Sequence, residues 1–228
     1  MYEQIEIIYE DNHIIAINKK ASQIVQGDKT GDKPLSELVK EYLKVKYNKQ
    51  GNVYLGVPHR LDRPVSGVVL FAKTSKSLTR LNEIFRLSQA QKTYYAIVAN
   101  PPKHQEDKLI DYIYRNRKQN KSYIVEAENK TAKKAILDYK LIAKSERYYL
   151  LEINLITGRH HQIRVQLSNM DCPIRGDLKY GYPRSNDNAN INLHSREISF
   201  IHPVKNEKIS IIAPFPEDKI WTIFGDIK

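Results

Sequence analysis

The sequence predicts an α+β fold in one domain, built on mixed or antiparallel sheet, and three observations lead there. Strand-like runs rich in β-branched and aromatic residues outnumber helical ones. The helical segments do not alternate with strands in the βαβ order of a parallel sheet. No Pro/Gly/Ser-rich linker divides the chain, and 228 residues with 41% hydrophobic content suffice for a single large core.

Residues 5–9 and 13–18 read as two strands joined by the turn Glu10-Asp11-Asn12. A helix follows, with Asp32 as its N-cap, Pro34 near its first position, and Leu35, Leu38, Val39, Tyr42 and Leu43 at helical spacing. The apolar run 68–72 reads as a buried strand. Ser75 is then expected to cap a helix that turns Leu78, Leu81, Ile84 and Phe85 inward. Beyond it the runs KTYYAIVA, KSYIVEA, KKAILDYKLIAKS and YYLLEINLIT predict strands, a short helix is expected over 162–169, and two more strands around 191–201 and 207–213. RNRKQNKS (115–122) reads as a solvated hairpin tip and GYPRSNDNAN (181–190) as an exposed connection.

Charge narrows the function classes. Thirty-seven Lys and Arg against 26 Asp and Glu give a net +11, which favours capture of polyanions such as nucleic acid. The 15 tyrosines could stack unpaired bases, though most lie in strand-like runs where packing accounts for them. No apolar run approaches the roughly 18 residues that span a bilayer, and the N-terminal MYEQIEIIYED has no signal-peptide core. The one cysteine, Cys172, cannot form an internal disulfide, so a cytoplasmic location is expected.

Several chemistries have no signature. The nine glycines form neither G-x-G-x-x-G nor a P-loop, and no serine sits in G-x-S-x-G. Seven histidines and one cysteine show no zinc spacing, and the adjacent His160 and His161 cannot both project from one side of a helix. One of that pair is expected buried and the other exposed. Any chemistry should run without metal or organic cofactor.

Two cationic segments remain, HRLDRPVSG (59–67) and LITGRHHQIRVQL (155–167). In the first, Asp62 stands between Arg60 and Arg63. In the second, Ile163 and Leu167 would anchor a short helix with Arg164 near the rim of its buried face. A guanidinium there suits a carboxylate partner, and Asp62 is the one the sequence offers; the pairing would favour its ionised form. On spacing alone, a structural ion pair and a catalytic pair both stay open. Gly67 and Gly158 are expected to serve turns or close backbone approach.

The blocks HRLDRPVSGVVLFAKT, QKTYYAIV, LITGRHHQIRVQL, CPIRGDLKYG and LHSREISFIHPV, in that order over residues 5–215, resemble the RluA family of RNA pseudouridine synthases. The resemblance implies a pseudouridine synthase fold, a two-lobed sheet with a catalytic cleft between the lobes. It also implies isomerisation of a uridine in RNA without a cofactor; ribosomal or transfer RNA is the expected substrate, and a monomer the expected state. Asp62 resembles the family's catalytic aspartate, Arg164 the arginine paired with it, Tyr94 the tyrosine that stacks on the target base, and Arg60 the arginine that fills the place of the flipped nucleotide. Lys19 matches a lysine of the family's N-terminal block. That block usually reads K-P-x-G, whereas this chain has Lys19-Lys20-Ala21-Ser22, and Val65 stands where a Thr is common. The small RNA-binding domain that precedes many relatives is not expected. RNA contact is therefore assigned to the basic surface, with Arg115, Arg117, Lys118 and Lys121 in the polar hairpin and Lys44 and Lys46 near the first helix end as candidates. A non-catalytic RNA-binding protein of the same fold and a base-removing glycosidase are the rival readings.

Overall fold

The computed structural model describes residues 5–187 and 189–225. Its elements run β1 (Glu6–Glu10), β2 (Ile14–Lys19), α1 (Leu35–Lys46), β3 (Ser66–Ala72), α2 (Ser75–Arg86), β4 (Gln91–Val98), β5 (Glu106–Asn116), β6 (Lys121–Val125), β7 (Lys133–Lys144), β8 (Tyr149–Leu155), α3 (Gln162–Asn169), β9 (Leu193–Ile201), β10 (Lys208–Ile212) and α4 (Lys219–Thr222), with a single 3-10 turn over Leu178–Tyr180. The α+β expectation holds. The chain forms two compact units, one of residues 5–90 and 195–214, the other of residues 91–194 and 215–225. Met1–Gln4 of the acidic N-terminus and Asn188 of the 181–190 connection lie outside the described residues.

In the first unit the strand order is β1-β2-β3-β9-β10. The turn after β1 is closed by Asp11, whose Oδ1 accepts from the His13 and Ile14 amides at 2.8 and 2.9 Å. Ile14, Ala16, Val68, Leu70 and Ala72 alternate onto one face and pack with Leu81 of α2 and with Ile198, Phe200 and Ile211. Leu78, Ile84 and Phe85 close that core as expected. Two helix starts differ from the sequence reading. Pro34, not Asp32, is the N-cap of α1, because Asp32 is taken by the Arg63 guanidinium. Thr74, not Ser75, caps α2, in a reciprocal pair with Ser77.

Gly67 shows why β3 begins as it does. Its φ of +109° is in the range only glycine adopts freely, and a Cβ there would overlap the Ser195 carbonyl and stand 2.6 Å from the Ser195 nitrogen. The expected close approach is therefore between β3 and β9.

In the second unit an antiparallel sheet runs in the order β4-β8-β7-β5-β6. One face of β4 places Tyr95 and Ile97 against Leu150, Trp221 and Phe224. Farther along, Ile113 and Ala135 pack with Val165 of α3 and with Tyr180.

Gly67→Ala should lower unfolding stability by about 3 kcal/mol or more, combining a forbidden conformation with a backbone clash. Urea unfolding within about 1 kcal/mol of wild type would mean that β3 and β9 yield there instead.

Candidate active site

The loop that carries Asp62 is held from both sides within the first unit. His59 accepts the Leu70 amide on Nε2 at 2.9 Å and lies against the Phe85 ring, centroids 4.7 Å apart. Leu61 is buried beside it. Past Asp62, the Val65 amide donates to the Asp62 carbonyl at 3.1 Å. Val65 is itself buried, an apolar anchor at the far end of the loop. Asp62 is half-buried and Arg60 exposed. The Arg63 side chain turns away to Asp32 and to the Thr30 hydroxyl, the latter at 3.2 Å.

Lys19 is the hidden support of this loop. It is 0% exposed, and its ammonium donates to three backbone carbonyls, those of Gln23 at 2.8 Å and of Lys20 and Arg63 at 3.1 Å each. Three donors thus meet three acceptors, the full capacity of an ammonium. Burial drives its pKa down to about 7; the Asp62 charge opposes that shift and Arg63 adds to it. The turn below is where the chain departs from K-P-x-G. Ser22, at the glycine position, has φ +74° and donates its amide to the Arg63 carbonyl at 2.9 Å. A serine there keeps the turn but bears the strain that glycine would relieve.

The second unit carries Tyr94 and Arg164. Tyr94 is 8% exposed on β4, paired in register with Ile153 of β8. Arg164, expected near the rim of the buried face of its helix, is 5% exposed. Its Nε donates to Asp177 Oδ2 at 2.7 Å and its Nη2 to Oδ1 at 2.8 Å, a two-pronged ion pair with a carboxylate that is 1% exposed. The guanidinium also stands 5.0 Å from the Tyr180 ring centroid. The sequence reading missed both Asp177 and Tyr180, although the block CPIRGDLKYG that contains them was in view.

α3 begins at His161, whose left-handed φ of +56° places it just outside the helix. The rule against two adjacent histidines sharing a helix side therefore does not apply. The His160 and His161 rings stack with centroids 3.8 Å apart, His161 buried and His160 half-buried. His161 Nδ1 lies 2.9 Å from the Tyr180 hydroxyl, which accepts the Ser122 amide at 2.9 Å. Burial first, and then Arg164 and other nearby charges, hold His161 down to about 2, so the ring is neutral. Burial pushes Tyr180 up to about 12.

The hairpin of β5 and β6 gathers Arg115, Arg117, Lys118 and Lys121. The first three are exposed, while Lys121 lies 5.4 Å from the Tyr180 ring centroid and 5.5 Å from that of Tyr123. Lys44 is exposed, but Lys46 is held at 2.7 Å by Glu10. Gly158 meets no backbone: its nearest neighbour would be the Lys92 ammonium, 3.7 Å from a Cβ at that position. No helix of the described residues is long and apolar enough to cross a membrane.

Residues 13–169 match the RNA pseudouridylate synthase family, and the chain belongs to it, in its RluA branch. It is 30% identical over 236 residues to tRNA pseudouridine synthase C of Vibrio parahaemolyticus, covering 96% of this chain and 92% of the relative. It is likewise 30% identical to ribosomal large subunit pseudouridine synthase D of Xylella fastidiosa, over 94% of this chain and 67% of that protein. The solved structure of human RNA pseudouridylate synthase domain containing 4 superposes with a TM-score of 0.80 at 23% identity, over 96% of this chain and 92% of that one.

Arg164→Ala and Asp177→Ala should each destabilise by about 3–5 kcal/mol, because each leaves its partner buried and unpaired. In the double variant the losses should fall well short of additive, as read by urea unfolding. Ser22→Gly should stabilise by roughly 0.5–1 kcal/mol by releasing the left-handed serine. The native state rejects a proton that the unfolded His161 accepts, so its contribution is present above about 6.5 and lost as pH falls from there toward about 2. Stability of wild type relative to His161→Gln should therefore decline on acidification; a pH-independent difference would place the proton elsewhere.

Proposed function

We propose that the chain isomerises uridine to pseudouridine in transfer or ribosomal RNA, with Asp62 as the catalytic carboxylate and Tyr94 and Arg164 completing the set. The observation that carries this reading is the support of the Asp62 loop. A fully buried ammonium is spent on the loop's Arg63 carbonyl, and the loop's own His59 is spent on the Leu70 amide of β3, which is reason to hold one half-buried carboxylate in place.

The reaction breaks the bond between N1 and the ribose, re-forms it at carbon 5, and moves one proton from carbon 5 to N1. An ionised carboxylate serves each route to that product, whether it attacks the ribose, adds to carbon 6, or takes a ribose proton. Tyr94 offers its ring to the flipped base, since chemistry on the glycosidic bond requires the nucleotide to leave its stack. Arg164, its plane fixed by Asp177, is the cation assigned to the catalytic set. Arg60, exposed beside Asp62, takes the space the nucleotide leaves. Arg115, Arg117, Lys118 and Lys121 contact phosphates farther along the RNA.

Relatives named for transfer RNA and for ribosomal RNA make both substrates part of the reading. All the assigned residues lie in one chain, which suits a monomer. No step invokes a cofactor. A free, buried Cys172, its thiol pushed up to about 11 by burial, suits a reducing cytoplasm.

RNA tritiated at carbon 5 of uridine should release label to water on incubation with the wild type, with no abasic sites formed. Asp62→Asn should cut release by more than about a hundredfold while RNA affinity stays within a few-fold. Residual activity of a tenth would remove Asp62 from the role assigned, and abasic sites would mark a glycosidase.

A further inference from the structure

Among the cations of the second unit, Lys92 stands apart. It lies on β4, is only partly exposed, and makes no hydrogen bond, ion pair or ring contact with any described residue. Burial alone lowers its pKa, with no carboxylate or other charge acting on it. An ammonium removed from water without a partner is an unfavourable arrangement that folding does not need, since an apolar side chain of similar length would fill the same space. Lys19 shows how this chain treats a lysine it buries for structure: three carbonyls meet its three donors. Lys92 has none.

Its place on the strand says what could supply them. Residues two apart on a strand share a face, so Lys92 and Tyr94 project from the same side of β4. The would-be Cβ of Gly158 lies 3.7 Å from the Lys92 nitrogen, so the absence of a side chain at this exposed position leaves that flank of the ammonium uncovered. A desolvated cation next to a buried aromatic, open on one flank, matches a nucleotide: an anionic phosphate beside a flat base.

We propose that Lys92 is a phosphate-binding residue, taking the backbone phosphodiester adjacent to the nucleotide whose base lies on Tyr94. The inference rests on the reading of the chain as an RNA-modifying enzyme and adds to it a contact that fixes one phosphate. A cation with no competing protein partner holds an incoming phosphate more strongly than an exposed lysine already hydrated or paired. It also selects for an extended nucleotide, since phosphate and base must be met from one strand face.

The test measures binding on an inactive background, so that it stays readable even if the isomerase reading fails. Bulk transfer RNA and ribosomal RNA fragments are titrated with Asp62→Asn protein and with the same protein carrying Lys92→Met or Lys92→Arg, between about 50 and 200 mM salt. Lys92→Met should weaken binding about tenfold at the lower salt and reduce the slope of log affinity against log salt by roughly 0.7–0.9, one phosphate's worth. Lys92→Arg should keep the slope. In thermal unfolding, Lys92→Met should melt no lower than its parent, because it removes a desolvated charge and retains the apolar stem. Unchanged affinity and slope in Lys92→Met would overturn the proposal. So would a binding loss accompanied by a lower melting temperature, or a parent protein that binds neither RNA.

Discussion

The ion pair between Arg164 and Asp177 is the constraint on which the second unit depends. Both groups are almost wholly out of water, so neither is tolerable without the other, and the two-pronged geometry fixes the guanidinium plane as well as its position. That fixes α3, a helix of only eight residues with no side-chain cap at its start. Tyr180 sits on the other side of the same cation and reaches His161 at the helix start. A short helix that could not persist alone is thereby tied at its beginning and its middle to the 3-10 turn over Leu178–Tyr180. Through Ser122 and Lys121, Tyr180 also touches the strand that leads away from the basic hairpin.

The first unit solves a similar problem with a different device. Its loop bears the half-buried carboxylate of Asp62, and other groups anchor the loop. Lys19 takes the Arg63 carbonyl, His59 ties the loop to the Leu70 amide of β3, and Gly67 lets β3 approach β9 closely. Lys19 and Lys92 together show two uses of a desolvated lysine, one saturated by carbonyls and structural, the other unsaturated and available to an anion.

Much of this was legible in the sequence. Period-two alternation and β-branched runs located the strands, and apolar spacing located the helices, because these patterns record which side of each element meets the core. Asp62 and Arg164 stood out by charge and spacing, whereas Tyr94 and the role proposed for each of the three came only with the ordered motifs. Helix starts were less legible: Asp32 has the right chemistry for a cap, yet a guanidinium 31 positions away in the chain competes for it more strongly. Asp177 was missed because its pairing with Arg164 is set by the tertiary fold. The stacking of His160 on His161 was not foreseen because nothing in the sequence announces that His161 stands just before the helix in a left-handed conformation. The meaning of Lys92 needed the opposite kind of observation, an expected partner that the described residues do not contain.

The central claim is that this chain converts uridine to pseudouridine through Asp62. The most direct measurement is a transcriptome-wide pseudouridine map of RNA from cells with the gene deleted, then restored as wild type or as Asp62→Asn. The account predicts that deletion removes at least one pseudouridine from transfer or ribosomal RNA, that the wild-type gene restores it, and that Asp62→Asn does not. A map unchanged by the deletion, or fully restored by the variant, would contradict it.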